Sequence, residues 1–413
     1  MTSIMCPKTR FKEFKESWKK TKLNEYLYEI SSGWSPQCES RSVEGDEWGV
    51  LTTTSTTWDG FDEEANKKLP ESLTPKEHLK VNKGDILITR AGPVNRVGVV
   101  CRVNSQPKRN VMLSDKLIRI VTSEAIDSRF LAFYLKLPSV QNYFTCRKSG
   151  LAEAQSNISQ DIIKKVPLAI PNINEQEKIS DFFTVLDSKL SKLKEKYTLT
   201  IQYKKAVMQK LFKQELRFKD ENGNAFPDWQ EKKMGQVINP EIREIAKPNE
   251  KYLALGIRSH MKGTFQKPGS DPEAVAMDKL FVVRPNDLVV NITFAWEGAI
   301  AIAKVEDDGG LVSHRFPTYT FKKNEATHRF FKHIIQLKRF KYMLDLISPG
   351  GAGRNRVLSK SEFLKLKWDF PSVKEQEKIA DFLDTLDKKL DALSEQIDLT
   401  QTFKKGLLQQ MFV

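Results

Sequence analysis

Residues 171–212 read PNINEQEKISDFFTVLDSKLSKLKEKYTLTIQYKKAVMQKLF, and residues 371–412 read PSVKEQEKIADFLDTLDKKLDALSEQIDLTQTFKKGLLQQMF. The two stretches align without a gap at an offset of 200, with 20 of 42 positions identical. Self-similarity at that level marks a duplicated unit. Within the first copy Ile179, Phe183, Leu186, Leu190, Leu193, Tyr197, Val207 and Leu211 follow a 4-3-4-3 spacing. Ile379, Leu383, Leu386, Leu390, Leu393, Ile397, Leu407 and Met411 repeat it in the second. That spacing is the heptad seam of a helix that packs on another helix. Asn172-x-x-Glu175 and Ser372-x-x-Glu375, each behind a proline, read as capping boxes at the two helix starts. Each helix should run about 40 residues, roughly 60 Å at ~1.5 Å per residue. A stripe that long cannot be buried by one small domain, so the simplest solution packs the two seams on each other as an antiparallel pair. A terminal core helix in each domain, or a stalk for oligomerisation, is the other reading. Both seams break alike, at Thr200 and Lys204 and at Thr400 and Lys404. Such polar breaks either set the register of pairing or snorkel at its edge.

The match extends weakly upstream. Arg129-Phe130 answers Arg329-Phe330, Ser159 answers Ser359, Gly84-Asp85 answers Asn286-Asp287, and Trp18-x-x-x-Lys22-Leu23 answers Trp229-x-x-x-Lys233-Met234. The chain therefore divides into a first globular domain (1–170), a helix with its linker (171–228), a second globular domain (229–370) and a second helix (371–413). Short β-like runs occur at 85–89 (DILIT), 97–101 (VGVVC), 287–291 (DLVVN) and 299–303 (AIAIA), with aromatic-rich helical stretches at 128–137 and 328–337. Strands first and helices later in each copy predict an α+β fold: two mixed domains, each followed by a long helix, the helices pairing as an antiparallel coiled coil.

A length of 413 residues allows two to four domains, and 39% hydrophobic with 10% aromatic residues argues against disorder. A bilayer span needs about 20 consecutive apolar residues, and the best run, 299–303, is far shorter. The first 20 residues are basic and aromatic without the apolar core of a secretory signal, so a cytoplasmic location is expected. Cys6, Cys38, Cys101 and Cys146 form no C-x-x-C pair, and His78, His260, His314, His328 and His333 form no H-E-x-x-H, so no metal site is expected.

The net charge of +14 favours an acidic partner. It is unevenly spread: residues 1–170 hold 26 basic and 20 acidic groups and 229–370 hold 24 and 16, while the two helix segments cancel. Polyanion binding thus belongs to the domains, and the helices look built for protein contact. Loops that could reach DNA are 148–157 (KSGLAEAQSN) and 349–356 (PGGAGRNR). Arg354 or Arg356 could fork onto guanine, and Gln155, Asn157 or Asn355 could read adenine, with Lys148 beside them; the bland alternative is a flexible connector. The stretches 52–58 and 258–262 occupy matching places and supply Thr53, Thr54, Trp58, Arg258, His260 and Lys262. Arg90 and Arg96, and Asn291, flank equivalent strand ends.

With Pro171/Glu175-Gln176/Ile179 and Pro371/Glu375-Gln376/Ile379 each behind a domain of about 150 residues, and Phe226-Pro227-x-Trp229 opening the second domain, the chain resembles the specificity subunit of type I restriction–modification systems over essentially its whole length. The first domain opens at Ser17-Trp18 without the Phe-Pro. The resemblance implies two target recognition domains, each reading half of a bipartite site in the major groove of double-stranded DNA. It also implies that the seam residues serve helix pairing and the docking of two modification (methyltransferase) subunits, with restriction (translocase/nuclease) subunits joining. No cofactor is then expected on this chain; S-adenosylmethionine would belong to the modification subunits, and ATP and Mg²⁺ to the restriction subunits.

The sequence carries no Asn-Pro-Pro-aromatic signature, no glycine-rich loop after a strand and no G-x-x-x-x-G-K, so a non-catalytic adaptor is expected. An autonomous DNA-binding or architectural protein that dimerises through its helices is the alternative, and a divergent enzyme is a third.

Overall fold

Why 85–89 and 287–291 read as unbroken apolar runs follows from the sheets they join. The computed structural model describes residues 6–152, 155–351 and 356–413, with the backbone alone at 151 and 152. It divides into two compact units, Met1–Glu195 with Glu395–Val413, and Lys196–Ser394. In the first unit Ile86–Thr89 sits inside an antiparallel four-stranded sheet ordered Leu27–Ser32, Leu117–Thr122, Ile86–Thr89, Val100–Arg102. Alternate side chains of a strand leave opposite faces. Ile86 and Ile88 accordingly enter one core with Val100, Ile118 and Phe130, while Leu87 enters another with Cys101, Val50 and Val111. Both faces are covered, so both are apolar. The second face carries a three-stranded sheet, Asn66–Lys68, Trp48–Leu51 and Asn110–Met112, whose last pair is parallel.

The second unit repeats this plan. Its four-stranded sheet is ordered Ile238–Glu241, Thr318–Phe321, Leu288–Val290, Ile300–Ile302, with Leu288 and Val290 in one core and Val289 in the other. Its second sheet has five strands, Glu244–Ala246, Lys279–Val282, Leu311–Val312, Tyr252–Ile257 and Thr264–Ser270. In each unit a two-stranded ribbon brings the start of the domain to its end: Lys19–Lys22 pairs with Pro167–Ile170, and Gln230–Lys233 with Lys367–Phe370. The expected helices are Ser128–Leu135, capped by the Asp127 carboxylate, and His328–Ile334, capped by the Thr327 hydroxyl. The chain is mixed α+β, as its sequence predicts.

The long helices span Ile173–Phe212 and Val373–Met411. At their starts half of each capping box forms: Asn172 Oδ1 accepts the Glu175 N–H at 3.0 Å and Ser372 Oγ accepts the Glu375 N–H at 3.4 Å. The other half is a correction, because neither glutamate turns back to its cap. Glu175 takes a two-pronged bond from Arg10 (Nε and Nη2, both 2.7 Å), and Glu375 takes one from Arg217 (3.1 and 2.9 Å). Both carboxylates are fully buried.

The first unit contains the early part of one helix and the late part of the other. Ile179 and Phe183 share a core with Met411 and Phe412, with Leu186 and Leu407 packed beside them. Phe412 lies 5.1 Å from Phe130 and 6.3 Å from Trp18, ring centre to ring centre. The second unit holds the complementary parts: Val207 and Leu211 share a core with Ile379, Leu383 and Leu386, and Phe212 lies 5.5 Å from Phe330 and 6.3 Å from Trp229. Of the remaining seam residues Leu190 and Leu393 are buried, and Leu193, Tyr197, Leu390 and Ile397 are half-buried. The polar break carries an ion pair in each unit, Lys404 with Asp187 and Lys204 with Asp387. Neither lysine snorkels.

One repeat position is unlike its partner. Where the first unit has Phe133, the second has His333, fully buried, with Nε2 3.2 Å from Asp384 Oδ1 and with Lys204, Lys332 and Asp387 near it. Burial first, and the Lys204 ammonium second, push this imidazole down from its ordinary 6.5 to about 4. Between those values the unfolded chain takes up a proton that the folded chain refuses, so this contribution is whole above pH 6.5 and is lost as pH falls toward 4. His333→Phe is expected to remove up to about 3 kcal/mol of acid destabilisation across that window. Melting curves recorded between pH 7 and pH 4 check it; identical pH slopes in parent and variant would refute it.

Candidate nucleic-acid interface

In the first unit three loops meet beyond the Thr89 end of the interior strand Ile86–Thr89. Arg96 Nη2 donates to the carbonyls of Thr53 (2.5 Å) and Thr56 (2.9 Å), which ties the 52–58 stretch to the 93–98 turn. Lys148 Nζ donates to the Val94 carbonyl at 3.1 Å, and burial lowers its pKa. Within the 148–157 stretch Ser149–Ala152 and Gln155–Asn157 are strands, and the second pairs with Ala91–Gly92. Asn157 is half-buried opposite Ala91, and the Ile158 N–H donates to the Arg90 carbonyl at 2.9 Å. Thr54, Trp58 and Gln155 are exposed at the tips. Arg90 Nε, Arg96 Nε and Thr89 Oγ1 are buried without a hydrogen-bond partner among the described residues.

The second unit builds the corresponding region differently. The 258–263 turn has His260 and Met261 both left-handed (φ 61° and 55°), a conformation that costs a side-chain-bearing residue free energy. It is held by its neighbour turn: the His260 and Met261 N–H groups donate to the Glu297 and Gly298 carbonyls, both at 2.9 Å. Gly298 is left-handed (φ 84°), a conformation that favours glycine, and a Cβ there would stand 2.9 Å from Met261 Sδ. The strained turn presents His260, Lys262 and Arg258 to solvent, although one Arg258 Nη1 already donates to the Thr264 carbonyl at 2.6 Å.

Three expected readers are committed to the fold instead. Asn291 is buried, its Oδ1 closing a turn on the Thr293 N–H at 3.1 Å. Arg356 stacks on Trp296 at 5.0 Å and donates to Asp345 Oδ1 (2.6 Å) and the Ser348 carbonyl (3.1 Å). Arg96 is the anchor described above. Arg354 and Asn355 lie outside the described residues. Two cations went unread in the sequence. Lys116 and Arg315 are exposed at equivalent places, because the Arg90 N–H donates to the Lys116 carbonyl and the Ile292 N–H donates to the Arg315 carbonyl. Their shared Ser-x-cation tripeptides, 114–116 and 313–315, were the available signal.

The family described as "Type I restriction modification DNA specificity domain" matches residues 16–202 and 228–400, one stretch for each copy of the repeat. The chain belongs to that type I specificity family. Among curated relatives, the EcoEI specificity subunit of Escherichia coli is 40% identical over 182 residues, 43% of this chain and 30% of that protein's length. The MjaVIII specificity subunit of Methanocaldococcus jannaschii is 21% identical over 352 residues, 81% of this chain and 80% of the relative. Among solved structures, the S subunit of a type I restriction–modification system from M. genitalium has the same fold, with a TM-score of 0.62, 18% identity and 99% of each chain covered.

In this specificity-family chain the Glu-Gln pair at each helix start acts as a rivet. The glutamate holds the arginine upstream of the domain, and the glutamine holds the domain's short helix: Gln176 Oε1 accepts the Asp127 N–H and Gln376 Oε1 accepts the Thr327 N–H, both at 3.0 Å. Each glutamine also donates to the proline before its helix, at 3.0 Å to Pro171 and 2.9 Å to Pro371. Among the described residues no helix is long and apolar enough to cross a membrane.

Proposed function

We propose that this chain is the DNA-reading subunit of a type I restriction–modification complex and carries no catalytic centre of its own. Each unit lays the tips of its three loops on one half of a bipartite site. Thr54, Trp58, Gln155 and Lys116 serve in the first unit, and Arg258, His260, Lys262 and Arg315 in the second. The observation that carries the reading is the repeat-equivalent placement of the exposed cations Lys116 and Arg315 beside the ends of the equivalent strands Ile86–Thr89 and Leu288–Val290, joined to a net positive charge that belongs to the domains. Phosphate contacts would fix position and base-edge contacts sequence. The two long helices pair antiparallel and fix the spacing of the half-sites, a reading supported by the matching ion pairs Lys404–Asp187 and Lys204–Asp387. Two modification subunits and the restriction subunits dock on this frame; S-adenosylmethionine binds to the former, and ATP with Mg²⁺ to the latter.

Exchange of residues 229–370 for the corresponding domain of another family member, with methylation mapped in cells that also carry the modification subunit, tests the reading. One half-site is expected to change and the other to stay. A change in both halves would contradict modular reading, and methylation by the chain alone would contradict the non-catalytic role.

A further inference from the structure

The first unit holds a cleft of about 520 Å³ where its four-stranded sheet, the helix Ser128–Leu135 and the 184–191 face of its long helix come together. Lys83, Arg102, Arg129 and Lys136 line it. The two carboxylates that also line it are engaged elsewhere: Asp59 lies 3.1 Å from Lys194 Nζ, and Asp187 pairs with Lys404. Arg129 is matched as well, by Asp127 at 2.7 Å and Asp181 at 2.5 Å. The other three cations have no ion-pair partner among the described residues. Arg102 donates only to neutral oxygens, from Nε to Ser128 Oγ at 2.8 Å and from Nη1 to Asn104 Oδ1 at 3.1 Å. Lys136 Nζ donates to the Trp58 carbonyl at 3.0 Å, and Lys83 is exposed. Arg102 and Lys136 are half-buried, and burial pushes the pKa of each down. A cation that loses water without gaining a counter-charge is held there at a free-energy cost.

The second unit meets the same place with charge of its own. Thr184 answers Asp384 across the repeat, and the Asp384 carboxylate accepts from Arg329 Nη2 at 2.8 Å and from Lys332 Nζ at 3.2 Å. The cations change together with it. Lys136 answers Gln336. The Val103 N–H donates to the Asp85 carbonyl at 2.9 Å as the Ala303 N–H donates to the Asp287 carbonyl at 2.8 Å, which sets Arg102 against Ile302 and Lys83 against Pro285. All three unpaired cations are therefore missing from the unit that carries the carboxylate, and present in the unit that carries a hydroxyl in its stead. One copy of the repeat balances its charge internally, and the other calls for an anion from outside.

Ser188 and Ser191, one turn apart on the long helix, add exposed hydroxyls to the wall of the cleft. Guanidinium and ammonium groups form charge-assisted bonds to phosphate oxygens. Three unpaired positive charges match more than one phosphate, and the volume falls in the range of roughly 300–1,000 Å³ that small-molecule ligands fill. Half-buried cations favour a ligand small enough to enter over a duplex that lies on the surface. We propose that the first-unit cleft binds one small molecule carrying two or three linked phosphate groups, and that the second unit binds none. Arg102 and Lys136 take the inner phosphate, Lys83 takes the outer one, and the serine hydroxyls donate to the remaining oxygens.

Isothermal titration calorimetry of the full chain with inorganic tripolyphosphate at constant ionic strength tests this. One equivalent is expected to bind, and orthophosphate should bind at least about tenfold more weakly. R102Q, and K136Q, which writes in the second unit's residue, should each raise the tripolyphosphate Kd by about tenfold or more. T184D, which supplies the second unit's carboxylate, should abolish binding. K338Q, at an exposed lysine of the second unit, should leave it unchanged. Two or more equivalents, a Kd indifferent to both R102Q and K136Q, equal weakening by K338Q, or parental binding by T184D would overturn the proposal. Displacement of the bound tripolyphosphate by a random-sequence DNA duplex would assign the cations to the DNA backbone and overturn it equally.

Discussion

Inserting one heptad into each long helix, between Glu195 and Lys196 and between Ser394 and Glu395, is expected to widen the unread gap of the proposed bipartite site by about three base pairs. Both half-site sequences should stay as they were. Seven helical residues add about 10.5 Å, and a base pair rises about 3.4 Å. Both insertions fall between the seam's ion-pair residues, Asp187 and Lys204 in one helix and Asp387 and Lys404 in the other. A whole heptad preserves the phase of the apolar seam, so the proposed pairing is expected to survive while length changes. Three added base pairs also turn the second half-site by roughly 100° around the duplex, given about 10.5 base pairs per turn, so affinity should fall about tenfold or more as the preferred spacing moves. Selection from a library of sites with variable gaps reads both effects. A preferred gap that does not move would remove the spacing role from the helices.

Glu375→Ala is expected to cost about 3 kcal/mol, because it strips Arg217 of its buried partner and removes one half of the rivet at the second helix start. The Glu375 carboxylate has no exposure and the Arg217 side chain 23%, so the value lies at the lower end of what breaking a buried pair costs. Replacing both partners, R217M with E375M, should recover most of the loss, since an apolar pair of similar volume leaves no charge stranded. Urea unfolding of parent, single and double variants measures this. A Glu375→Ala midpoint equal to the parent's would show that the pair holds nothing.

The helices, their seams and the apolar strands at 85–89 and 287–291 were legible because each is written in a period: seven residues for the seam, and an unbroken run for a strand covered on both sides. The run at 97–101 becomes a strand only from Val100, because Arg96 to Gly98 form a turn in which Gly98 is left-handed (φ 93°). The rivet was half legible. Arg10-Phe11-Lys12 and Arg217-Phe218-Lys219 are the same tripeptide serving the same glutamate, but they stand 207 residues apart and so slip out of the 200-residue register. The loop cations were the least legible. A guanidinium at a loop reads alike whether it faces solvent or holds its own loop's carbonyls, and Arg96 and Arg356 do the second. Asn291 misled for the same reason, since an amide that can read adenine can as well close a turn.

The first unit is stitched from both ends of the numbered chain. The Thr9 N–H donates to the Gln410 carbonyl at 3.0 Å, and Trp18 packs on Phe412. In the second unit the same junction is continuous backbone, running from Phe212 through Arg217 to Trp229. Trp18 beside Phe412 in the first unit thus repeats Trp229 beside Phe212 in the second, although the first pair is brought together by folding and the second stands close along the chain. A rearranged gene that opened within 213–228, with the segments around residues 9 and 410 fused, is expected to keep the contacts within each unit.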